Sequence, residues 1–151
     1  MLFAHDELHA ASLGVFQTYI LRILWQLVRA KAWYDAQGRT QDESDMINIQ
    51  HCKHEMVTWY GIQKTNNPLR PTYELQELTK GMLGDTFANN TLRIKAAETN
   101  TLLRFANDMA HKYSNRLENG AAACGAGEAL VQYLDITRSN TLNVPLRAVQ
   151  Q

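Results

Sequence analysis

The histidines are the residues of this chain whose type and spacing could do chemistry. His5 and His9 are four apart, and His51 and His54 are three apart with Glu55 directly after. On a helix both spacings place a pair on one face. Imidazoles and carboxylates turned inward from several helices are how helical bundles hold metal ions. His51, His54, Glu55 and His111, with His5 or His9 beside them, are therefore the candidate metal ligands. The standard patterns around them are missing. No glutamate is followed three residues later by histidine, as a ferritin-like di-iron bundle requires. His54-Glu55 runs on into Met56, Val57 and Thr58, so a His-Glu-x-x-His zinc motif fails at its second ligand. Beyond a metal ion, no cofactor is expected.

Nucleophilic catalysis has less support. The sequence holds no Gly-x-Ser-x-Gly and no Ser-x-x-Lys, and Ser12, Ser44, Ser114 and Ser139 have no neighbouring base. Cys52 lies between His51 and His54, but adjacent residues on a helix diverge, and Cys52 falls on the apolar side. It reads as a buried thiol, and with Cys124 far away no disulfide framework is expected. The Gly120 to Gly127 stretch lacks both the dinucleotide fingerprint and the Lys-Ser/Thr ending of a phosphate loop, so tight helix packing is its expected role. No catalytic residue is assigned, and the protein is read as a non-enzyme.

Charge excludes further classes. Lys plus Arg and Asp plus Glu both total 15 in 151 residues, so no net field recruits nucleic acid or anionic lipid. A local strip of Arg93, Arg104, Lys112 and Arg116 is the candidate nucleic-acid surface, diluted by Glu98, Asp108 and Glu118. The longest apolar stretch, residues 10–34, is interrupted by Arg22, Arg29 and Lys31, which argues against membrane insertion. The N-terminal residues lack the basic start of a secretory signal, so a soluble, cytoplasmic protein, or one assembled inside the cell into a larger particle, is expected.

The elements that must position these residues read as helices. Leu13, Phe16, Ile20, Ile23, Leu27, Ala30 and Tyr34 alternate by threes and fours, predicting a helix over residues 5–36. Thr40 and Glu43 have the capping-box spacing and start a second helix, residues 42–63, with Met46, Ile49, Cys52 or Lys53, Met56 and Tyr60 inward and Val57 and Trp59 beside them. Pro68 and Pro71 break the chain, and Leu75, Leu78 and Met82 predict a short third helix over residues 72–83. A long fourth helix is expected over residues 85–117, with a break near Asn100, and a fifth over residues 121–136. The predicted fold is all-α: one bundle of about five helices, two long and three shorter, over residues 1–136. Residues 137–151 are expected to form an extended C-terminal tail packed on the bundle or on a partner.

The first helix is apolar around most of its circumference, more than one small bundle easily covers. Trp, Tyr and Arg together are also the composition of interface cores. Tyr19, Arg22, Trp25, Arg29 and Trp33, with Val144 and Leu146 of the tail, are therefore the candidate partner-binding residues. The leading expectation is a non-enzymatic assembly or adaptor protein acting through helix-mediated contacts, as a homo-oligomer or as a subunit of a larger complex such as a virion coat or secretion assembly. A metal-binding bundle and a weak nucleic-acid binder are the alternatives.

Overall fold

A computed structural model describes residues 10–35, 37–84 and 92–142 of the chain, and within them it is all-helical, with no strand. A π-helical segment, Ser12–Phe16, runs directly into α1, Gln17–Arg29. Helix α2 spans Gln41–Asn66, α3 spans Ala96–Lys112, a 3₁₀ turn covers Ser114–Arg116, and α4 spans Gly120–Leu142. The capping box that starts α2 forms as its spacing predicts. Glu43 N–H donates to Thr40 Oγ1 at 3.3 Å, and Thr40 N–H donates to the Glu43 carboxylate at 3.0 Å. At α3 the Glu98 carboxylate accepts from Lys95 N–H at 3.1 Å, satisfying one of the free donors of the first turn.

The first helix ends at Arg29, seven residues before its predicted end. Lys31 stands at φ 52°, its N–H donating to Val28 O at 3.1 Å, and Ala32 N–H donates to Leu27 O at 3.0 Å. This is a Schellman termination, usually signalled by glycine at the left-handed position. Here lysine fills it, so the stop is invisible to a reading that looks for glycine. At the other end, the wider π turn breaks the register of the predicted seam. Leu13 and Val15 turn outward, while Phe16 is buried.

The core gathers Ile20, Leu24, Trp25, Leu27 and Val28 of α1 against Leu102, Leu103, Phe105, Ala106 and Ala110 of α3, all fully buried. Helix α3 is the hub and packs along α4, α1 and the π segment. Trp59 anchors α2 to it. Its ring meets Phe105 edge-on at 5.7 Å, and its Nε1–H donates to Asp108 Oδ2 at 2.7 Å. The expected break near Asn100 does not occur, because α3 begins only at Ala96 and its Thr99, Asn100 and Thr101 are buried.

The predicted third helix is absent. Residues 71–79 have no helical structure, and only a turn at Thr79, closed by Met82 and Leu83 N–H donating to Thr79 O, precedes Gly84 at φ 88°. The donors a helix would use internally go elsewhere. Tyr73 N–H donates to Thr101 Oγ1 at 3.1 Å, and Leu75 N–H donates to Tyr60 Oη at 3.1 Å. Burial pushes the Tyr60 phenol up to about 12, so the hydroxyl stays protonated and neutral. Leu75, Leu78 and Leu83 are still buried, but as pegs of a strap laid over the helices.

Helix α4 continues to Leu142, six residues past its predicted end, so the extended tail cannot begin at residue 137. Residues 143–151 lie outside the described residues, as does the expected fourth-helix start at residues 85–91. The small residues at the start of α4 do allow close approach. A Cβ on Gly127 would collide with the Tyr19 hydroxyl and with Asn107 Oδ1, and one on Gly120 would collide with the Ser114 backbone.

Candidate functional site

The aromatic residues assigned to a partner belong to the core instead. Trp25 is 0% exposed, and its Nε1–H donates to Leu83 O at 2.8 Å. Tyr19 is buried and donates from its hydroxyl to Ala123 O at 3.0 Å. Trp33 is half-buried, with Nε1–H on Glu55 Oε2 at 2.5 Å. Arg29 reaches Asp45 at 3.1 Å and lies over the Trp25 ring. The apolar surplus of the first helix is thus covered by α3, α4 and the 71–84 strap, a cover that could not be counted while that strap was read as one more helix. Arg22 and Arg29 of this set stay exposed, Arg22 beside Gln26 in a shallow groove of about 580 Å³ against the start of α4. Val144 and Leu146 lie outside the described residues.

The candidate metal ligands are not brought together. His51 and His54 point outward from α2, and the His51 ring stacks on Tyr34 at 5.3 Å with 3° between planes. Glu55 turns the other way and accepts from Trp33, from Tyr113 Oη at 2.9 Å and from Lys112. Burial favours its neutral form, but those three donors outweigh burial and hold the carboxyl below its ordinary range. His111 faces α4 from α3, with Nδ1 2.8 Å from Asn107 O and Nε2 2.7 Å from Glu128. Among the described residues no three His, Cys, Asp or Glu side chains form a group that could hold a metal ion. His5 and His9 lie outside them.

The His111 contact makes a prediction. The ring can donate from both nitrogens only as imidazolium, so the Asn107 carbonyl and then Glu128 raise its pKa. Stabilisation from a raised histidine is fully present below its unfolded pKa of about 6.5 and is lost as pH rises through the higher folded value. His111→Gln should therefore lower the melting temperature relative to wild type near pH 6, by no more than about 3 °C for so exposed a pair. The gap should close by pH 8. Melting curves at the two pH values check this, and a gap that widens with pH would refute it.

The basic strip is also dispersed. Arg104 is bound by Asp135 through both guanidinium nitrogens, at 2.5 and 3.4 Å, and Lys112 by Glu55. Arg93 and Arg116 are exposed, Arg116 at a second groove that it shares with Arg29 and Gln41. Cys52 is buried as expected, and burial pushes its thiol far above the reactive range.

What remains is the outer face of α2, at 26 residues the longest helix among the described residues. Its inner side buries Asn48, Ile49, Cys52, Met56, Trp59 and Tyr60. Its outer side carries Met46, Gln50, His51, His54, Val57, Thr58, Gly61 and Ile62, all exposed, with Ile47 half-buried among them. Met46, Val57 and Ile62 are 49%, 53% and 50% exposed. Between residues 46 and 62 the only Asp, Glu, Lys or Arg side chains are Lys53 and Glu55. Both leave the outer face: Lys53 pairs with Glu77 at 2.6 Å, and Glu55 is held as described. The flanking Lys64 pairs with Glu74 at 2.7 Å. The sequence places Met46 inward, and the structure turns it out. Spacings of four, three and four put Ile47, His51, His54 and Thr58 on one stripe of the helix.

Asn48 is the positioning residue that sequence reasoning passes over. It is fully buried, and its Oδ1 accepts from the N–H groups of Trp33 (3.3 Å) and Tyr34 (3.0 Å). Its Nδ2 donates to Tyr34 O at 2.9 Å and to Ser44 O at 3.0 Å. One amide thus fixes the connection from α1 to α2, and with it the Tyr34 ring on His51. Among the described residues, no helix is long and apolar enough to cross a membrane. Comparison with protein-family models, curated proteins and solved structures finds no match to this chain.

Proposed function

We propose that this protein is a non-enzymatic assembly component that joins other protein surfaces through the outer face of α2. The observation behind this reading is that a 26-residue helix shows solvent a strip of Met, Ile, Val, Gly, Thr, Gln and His. Exposed helix faces ordinarily carry charge, and desolvating an uncharged strip costs little, as at the centre of protein interfaces. The ion pairs beside it, Lys53 with Glu77 and Lys64 with Glu74, give it a polar rim.

Val57→Glu tests the reading. The site is half exposed, so folding stability should change by no more than about 0.5 kcal/mol. A charge placed unpaired in a desolvated interface should weaken association at least about tenfold. Native mass should exceed the 17.2 kDa of one chain in the wild type, alone or with a co-purifying partner, and fall to that value in Val57→Glu. A wild-type monomer at about 100 µM with no partner, or association indifferent to Val57→Glu, would overturn it.

A further inference from the structure

We infer that the surface covering the outer face of α2 is the same face of a second copy, laid antiparallel across a two-fold axis at His54. This inference rests on the assembly reading above and names its partner. In a two-fold interface, if residue i meets residue j, then j meets i. With the axis at His54, positions i and 108 − i oppose each other. Met46 then meets Ile62, Ile47 meets Gly61, Gln50 meets Thr58, His51 meets Val57, and His54 meets His54. Every outer residue is matched by another outer residue, apolar with apolar at both ends and amide with hydroxyl between. Moving the axis one turn toward the N-terminus sets Val57 against Glu43. Moving it one turn the other way carries the partner of Met46 past Asn66, the end of the helix.

Three further observations favour a second copy. Gly61 is exposed in the helix interior, and a Cβ there would meet nothing within 4 Å. A glycine at such a position costs about 1 kcal/mol of helix stability, and this fold gives it no close neighbour in return. In the antiparallel register it is the hole that receives Ile47 of the partner. The strip offers no charge for a charged partner to read, while the chain's net charge of zero leaves two copies without mutual repulsion. The contact length also suits a reversible pair. Residues 46 to 62 span about 24 Å of helix, and a strip about 10 Å wide on each copy buries roughly 700 Å² in total once Tyr34 is added. That lies at the transient end of the interface range, so the dimer should have a dissociation constant on the order of 10 µM.

Cysteine cross-linking on the full chain decides the geometry, in a Cys124→Ser background that leaves only the buried Cys52. Under mild oxidation at about 100 µM, His54→Cys should give covalent dimer as the major species. Met46→Cys alone and Ile62→Cys alone should stay monomeric, because each lies about 24 Å from its own copy. An equal mixture of those two should cross-link. Self-linking of Met46→Cys together with Ile62→Cys would mean a parallel pair and overturn the inference. A wild-type monomer at 100 µM would also overturn it. Where that monomer still binds a different protein in a manner lost in Val57→Glu, the assembly reading stands and only the self-pairing falls.

Discussion

Trp25→Ala is expected to lower folding stability by about 3–5 kcal/mol, the range for removing a large aromatic from a packed core. Trp25 is fully buried, and its Nε1–H is the donor to the Leu83 carbonyl at 2.8 Å. Alanine would leave a cavity between α1 and the 71–84 strap and remove the Leu83 acceptor's partner. A loss of this size is a large fraction of the 5–15 kcal/mol typical of a domain, and corresponds to roughly 10–15 °C in melting temperature. Trp25→Phe should restore most of the packing and lose mainly the hydrogen bond, for about 1–2 kcal/mol. Chemical denaturation of the three proteins measures both steps. A cost under 1 kcal/mol for alanine would mean that Trp25 faces outward and would return it to the interface.

Asn48→Leu should cost about 3 kcal/mol, although leucine matches asparagine closely in size and suits a helix better. The cost comes from what the amide leaves behind. Trp33 N–H, Tyr34 N–H and Tyr34 C=O would lose their partner, and each orphaned group costs about 1–3 kcal/mol where water cannot replace it. Tyr34 is half exposed, so water recovers part of this, and the lower end applies. Hydrogen exchange gives the specific signature: the Trp33 and Tyr34 amides should lose protection before α1 and α3 do. Uniform loss across the molecule would show that Asn48 acts only through global packing.

The two substitutions both act behind the proposed interface. Trp25 holds the core from which α2 projects, and Asn48 fixes the connection that sets Tyr34 against His51. Neither lies on the outer strip. Val57→Glu does, and should leave folding intact, so the three together separate loss of fold from loss of association.

Local chemistry carries the parts of this molecule that its sequence determines alone. The Thr40–Glu43 capping box places the start of α2 within a residue, because both partners lie in one turn. Pro68 and Pro71 place its end nearby, since proline lacks the donor a helix needs and restricts the residue before it. The spacing of Ile20, Ile23 and Leu27 marks the core face of α1, because residues three and four apart share one side of a helix.

Tertiary contacts decided the rest. Leu75 and Leu78 have helical spacing, yet their segment is not helical, and Thr101 and Tyr60, far away in sequence, take the Tyr73 and Leu75 N–H groups. Lys31 adopts the left-handed turn that glycine usually marks, held by the Val28 and Leu27 carbonyls. Helix α2 has apolar residues on both sides, so period alone cannot say which side faces in. Asn48 and Trp59 settle it, one bonding the α1–α2 connection and the other Asp108. That choice buries Met56 and exposes Met46, His51, His54 and Val57, turning residues that read as metal ligands and core into a surface. Spacing shows which residues share a face; hydrogen bonds between distant segments fix where that face points.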